Sequence, residues 1–199
     1  MSHSNSPLFP SQVVAKGAMK LSSSFHLRRS DGTEINYVHV PFGTTLTRKA
    51  RVTLHAGTKE SDPVLAEMDD KGPKVALTTC LAPTGPSTHW FLDICAGGIW
   101  SSNHRVTGTL GPRGPQQTLE WRFVKGGVVK NLGGSGWELV RSNHGVETIV
   151  AALAMPTWSL NKRFTLALFH DALKGLGPDF EVMIVMTAIW IEKFFQESR

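Results

Sequence analysis

The sequence predicts a mainly β protein, a closed antiparallel barrel of about twelve strands around one central C-terminal hydrophobic helix. The first observation behind this is the stretch Phe180–Phe195, whose apolar residues fall on every side of a helix, with no charge between Val182 and Ile191. Ten residues at about 100° each exceed a full circuit, so this helix has no water-facing side. It is also too short to span a bilayer, which needs roughly 20 mostly apolar residues. Glu181 precedes the stretch and Glu192 and Lys193 follow it, so the expected surroundings are protein. The second observation is upstream, where short runs of period-two alternation recur between turn signals, as in a meandering antiparallel sheet. The third is size: 199 residues allow one domain with a core of its own.

Residues 1–17, rich in Ser and Pro at their start, read as a flexible lead-in, and 18–199 as a single barrel domain. Phe25–Arg29 stops at Ser30, Asp31 and Gly32, and Glu34–Val40 restarts before Pro41, Phe42 and Gly43. Asp-Gly supplies the positive φ of a tight turn, which makes the two runs a hairpin. Further strands are predicted at Lys49–His55, Val64–Glu67, Lys74–Cys80, His89–Cys95 and Gly98–Leu110, the last broken around Ser102. Leu119, Trp121 and Phe123 alternate with Glu120 and Arg122, so one face is core and the other wet.

Gly126-Gly127 and Gly133-Gly134 with Gly136 mark turns, and strands are predicted at Val128–Leu132 and Trp137–Arg141. Glu147–Ala154 and Arg163–Phe169 complete the set. Phe169–Lys174 reads as a turn of helix or a loop, ending at Gly175–Pro178. Pro178 suits the first turn of the closing helix, with Asp179 and Glu181 at its positive end and Lys193 near the other. Some 16 residues at 1.5 Å each give roughly 24 Å, close to the depth of a small barrel.

Hydrophobic residues make up 41% and charged residues 19%, which excludes global disorder. The formal charge of +5 favours anionic partners. An anionic lipid headgroup or a protein is the expected partner; nucleic acid is not, since small basic proteins commonly carry this balance. Cys80 and Cys95 form neither a disulfide framework nor CxxC metal spacing, and are read as buried thiols. The N-terminal residues lack the pattern of a secretory leader and no transmembrane segment is predicted, so the expected location is cytoplasmic, with peripheral contact at membranes.

Leu119–Phe123, then Gly136–Arg141, then Leu176–Lys193 resemble small, mostly uncharacterised fungal proteins of the tubby C-terminal-like fold. In these a tryptophan-bearing strand precedes a Trp-x-Leu strand and a closing helix ending in Glu-Lys. The resemblance covers roughly Met19 to Gln196. It implies a barrel closed around its last helix. Tubby proteins bind phosphoinositides through basic residues on the barrel surface, and the resemblance implies lipid docking in that sense only, because function belongs to sites rather than folds. The basic phosphoinositide motif of tubby has no residue-by-residue counterpart here.

The candidate anion-binding residues are Arg28 and Arg29, Arg48, Lys49 and Arg51, Lys125 and Lys130, and Lys162 and Arg163. Arginine offers phosphate a bidentate fork and lysine a point charge, provided the clusters converge. If they do not, they are the solvated face of a barrel. Of eight histidines none forms a His-x-His or HExxH pair, so no metal is expected, and no cofactor motif occurs. His89 with Asp93 and His170 with Asp171 are the candidate acid–base pairs at the barrel mouths. Trp158 is the tryptophan singled out for ligand or membrane contact, on a predicted loop.

No nucleophile elbow or phosphate-binding loop is present, so the expected function is a non-enzymatic intracellular binding module docking on anionic lipid, phosphoinositide in particular, or on a protein. The alternative is a small-molecule enzyme of cyclase or isomerase type using a pocket at the barrel mouth.

Overall fold

The computed structural model describes residues 7–17, 24–40, 51–70, 74–81, 88–94, 103–109, 116–143, 145–156 and 162–197. Twelve antiparallel strands close into a barrel in which each strand pairs with its sequence neighbours, and β1 (Gln12–Lys16) pairs with β12 (Lys162–Leu168) to seal it. The others are β2 (Phe25–Arg28), β3 (Glu34–His39), β4 (Arg51–His55), β5 (Val64–Asp70), β6 (Lys74–Thr79), β7 (Thr88–Ile94), β8 (His104–Thr109), β9 (Gln116–Val124), β10 (Gly134–Asn143) and β11 (Val146–Pro156). Among the described strands closure leaves no sheet edge, which removes the template for edge-to-edge association.

The inward residues follow the period-two pattern: Val13 and Ala15, Phe25 and Leu27, Val52 and Leu54, Trp90 and Leu92, Leu119 and Trp121, Phe164 and Leu166 are all buried. Through them runs α3 (Pro178–Glu197), and every residue from Phe180 to Glu192 is buried. The expected enclosed helix is therefore present. Its few polar side chains each bond a different part of the wall. Thr79 on β6 donates to Asp179 (2.6 Å), Phe9 donates its amide to Glu181 (3.0 Å), and Trp121 on β9 donates to Thr187 (3.0 Å), whose hydroxyl bonds Ile184 O (3.1 Å). An apolar helix in an apolar barrel is free to slide or rotate, and these directional bonds fix its register.

Two predicted segments differ from the structure. The segment 12–16, read as part of a flexible lead-in, is β1, and Phe9 before it is buried in the core. Only Val13 and Ala15 of that run face inward, too short an alternation to signal a strand without its partners on β12 and β2. Val128–Leu132, read as a strand, instead lies in and just after the short helix α1 (Gly127–Asn131). Gly127 at φ +62° turns the chain back over the outside of the barrel, where Val129 packs on Ala152, Ala154 and Ala167. These small residues leave room for a helix, and β11 is consequently buried on both faces from Val150 to Met155. The gain of β1 and the loss of this strand leave the count at twelve. Of Gly98–Leu110, the described part forms β8 from His104, and α2 (His170–Leu173) is the expected helical turn.

His104 on β8 points into the core and meets the rings of Trp137, Trp190 and Phe194. Burial pushes its pKa down from 6.5 to about 4. The unfolded chain therefore binds a proton between those values that the folded chain does not. Stability is expected to be full above pH 6.5 and to fall by up to about 3 kcal/mol as the pH drops to about 4. Denaturant titrations of the wild type and of His104→Phe across that range check this, since the variant's stability should be flatter.

Candidate functional site

An up-and-down barrel sorts its connections between two rims. At the rim where α3 ends, the joining segments are 17–24, 40–50, 71–73, 95–103, 125–133 and 157–161. In sequence these carry Lys20, Arg48, Lys49, Lys71, Lys125 and Lys130 and no Asp or Glu. At the opposite rim, where α3 begins, segments 29–33, 56–63, 80–87, 110–115, 144–145 and 169–177 carry Arg29, Lys59, Arg113 and Lys174 against Asp31, Glu60, Asp62 and Asp171. In sequence, then, one set of connections is basic and the other balanced.

Of the expected anion-binding residues, Lys125, Lys130 and Lys162 belong to the basic rim, together with Lys16, which was hidden within the predicted lead-in. Lys16 and Lys162 stand opposite each other on β1 and β12. Lys16, Lys125 and Lys130 are exposed. Their signal in sequence was charge alone; only the strand register places Lys16 beside Lys162.

Arg48, Lys49, Cys95 and Trp158 lie outside the described residues, as does the turn around Ser102. Arg51 sits at the basic rim but is bound to Asp69 (3.0 Å) and Glu67 (3.1 Å), which raise its pKa. Arg28 and Arg29 lie at the far rim, with Arg28 bonded to Glu34. The full set of predicted basic residues therefore does not converge on one patch.

Arg163 is a correction. Far from being a surface cation, it is buried and forms a two-pronged pair with Glu192 of α3, at 2.9 and 3.0 Å. The cause is a β-bulge: Ala15 pairs with Phe164 and Lys16 with Lys162, leaving Arg163 as the extra residue. A bulge breaks the alternation and re-aims a side chain, here toward the helix and over the ring of Phe25 (4.3 Å).

The His170 and Asp171 pair does not assemble, and His89 and Asp93 are apart along the backbone. His89 is exposed and bonds Thr78 (3.3 Å), and Asp93 is four residues along the same strand, a backbone separation of roughly 13 Å. His170 faces Glu181 at 4.0 Å, while Asp171 is tied to Lys174 (2.7 Å), which lowers the Asp171 pKa. Cys80 is half-buried rather than enclosed, and burial raises its thiol pKa.

Arg122 grips Glu147 through both terminal nitrogens (2.8 and 2.7 Å) and Glu120 through Nε (2.8 Å), which raises its pKa and lowers that of Glu147. It borders an open groove of about 350 Å³ over β8, β9 and β10, with Arg105, Thr107 and Ser142. Among the described residues no group of three His, Cys, Asp or Glu side chains is placed to hold a metal, and no helix is long and apolar enough to cross a membrane. Comparison with family models, with curated proteins and with solved structures gives no match for this chain.

Proposed function

We propose that the chain is a non-enzymatic docking module whose basic rim binds anionic lipid headgroups at a membrane surface, phosphoinositides among them. The observation that carries this reading is the charge division between the rims: the connections at one end hold six cations and no acid in sequence, while those at the other are balanced. An excess of one sign at one end of a rigid barrel orients the molecule against a charged plane, and each lysine near such a surface contributes about 1 kcal/mol. The resemblance to tubby-like proteins supports the same reading without specifying the residues. The failure of His170 and Asp171 to pair weighs against the enzyme alternative.

Vesicle flotation tests it. The protein should float with vesicles containing phosphatidylserine or a phosphoinositide, release as salt is raised, and ignore neutral phosphatidylcholine. Lys16→Ala, Lys125→Ala and Lys130→Ala together should weaken binding on the order of 100-fold, from about 3 kcal/mol lost. Equal binding to neutral vesicles, or none to any, defeats the proposal.

A further inference from the structure

The balanced rim contains a cleft of about 390 Å³ that none of this uses. It opens where the wall loosens: among the described residues β3 and β4 pair at only Val38 with Leu54 and His39 with Thr53. Beyond these the Tyr37 amide reaches across to Gly57 O (2.7 Å), and the Asn36 side-chain amide donates to His55 O (2.8 Å). Leu8, Pro10, Ile35, Ala56 and Leu65 give it apolar walls, and Leu8 is 43% exposed, high for a residue of its kind. The volume falls within the range of small-molecule sites, which pair apolar walls with a few polar groups.

The polar groups have a definite sense. Glu34, the one acid of the lining, is neutralised by Arg28, with His26 at 3.7 Å. Arg29 lines the mouth and is exposed; among the described residues it makes no ion pair within 4 Å, its charge being felt by Asp31 of the same turn, whose pKa it helps the Thr33 amide to lower. The acid nearest to it in the turn, Asp31, is committed to the Thr33 amide (2.8 Å). The turn itself is held by Arg29 N–H to Thr33 O (2.8 Å) and Gly32 N–H to Arg29 O (3.0 Å), so the guanidinium stands on a fixed backbone. The cleft therefore offers a positive fork at its mouth and hydrocarbon on its walls.

We infer that this cleft binds a small carboxylate with a compact apolar body, the carboxylate on Arg29 and the body against Ile35 and Leu65. A guanidinium matches a carboxylate through two parallel hydrogen bonds, and the walls shed water on contact with an aliphatic chain. This site lies at the opposite rim from the proposed lipid contacts and is independent of them.

The test is titration of the intact protein with octanoate, octanol and octylammonium, followed by amide NMR. Octanoate should bind saturably in the millimolar range, shifting Ile35, Ala56 and Leu65, with octanol at least fivefold weaker and octylammonium weaker still. Arg29→Ala should cut octanoate affinity at least fivefold and octanol affinity by less than twofold, with Arg29→Lys intermediate. The Lys16, Lys125 and Lys130 triple variant should bind octanoate as the wild type does, even if flotation fails. Absence of saturable shifts at those three residues, or equal affinity for the three probes, overturns the inference, as does an Arg29→Ala variant that still prefers octanoate.

Discussion

Replacing Ile184 by Asp is expected to abolish folding. Ile184 is wholly buried on α3, inside the barrel, so the new carboxylate meets no water and no designed partner. Kept ionised it is prohibitive; protonated, it still leaves a polar group in a site shaped for hydrocarbon and forfeits the packing of the isoleucine. The combined loss, on the order of 5 kcal/mol or more, matches the whole stability of an ordinary domain. Ile189→Asp, 1% exposed, should behave the same way. The measurement is soluble expression followed by thermal or denaturant unfolding. A soluble variant that unfolds cooperatively near the wild-type midpoint would show that α3 is not enclosed.

The second large effect is expected at Arg163 and Glu192. Glu192→Ala leaves the buried guanidinium without its carboxylate and should cost about 3 to 5 kcal/mol. The double change Arg163→Met with Glu192→Leu should recover most of that loss, because replacing both partners removes the unpaired charge as well as the pair. Urea unfolding of the two single variants and the double variant forms the cycle. If Glu192→Ala unfolds like the wild type, Arg163 has swung out of the bulge to solvent, and the ion pair is not what fixes the C-terminal end of α3.

How much of this was legible beforehand varies by element. The closing helix was readable because residues apolar at every angle have only two environments, and length decides between them. The hairpin at Gly32 was readable because its φ of +92° suits Asp-Gly and few other pairs. β1 was not, since two inward residues do not make a periodic signal, and its closure with β12 joins opposite ends of the chain. Nor was α1: a run of Val, Val and Leu between glycines satisfies a strand and a short helix equally, and the alanines that receive Val129 are distant in sequence.

The candidate site divides the same way. Lys125, Lys130 and Lys162 were identified by type, but charge in sequence carries no address. Arg163 has the same charge as its neighbour Lys162, and one extra residue in a strand sends it inward toward Glu192. The pair of His170 and Asp171 failed because adjacency in sequence is not adjacency of side chains: Asp171 bonds Lys174 and His170 faces Glu181.

The amino-acid sequence by itself determined the architecture, a sheet wrapped about an apolar helix, because burial and period-two alternation are local properties that most of the strands declare separately. It also determined the net charge. Only the tertiary structure decided how that charge is divided, because an antiparallel barrel sends alternate connections to opposite ends, and a basic and a balanced set of connections exist nowhere in any single segment of the chain.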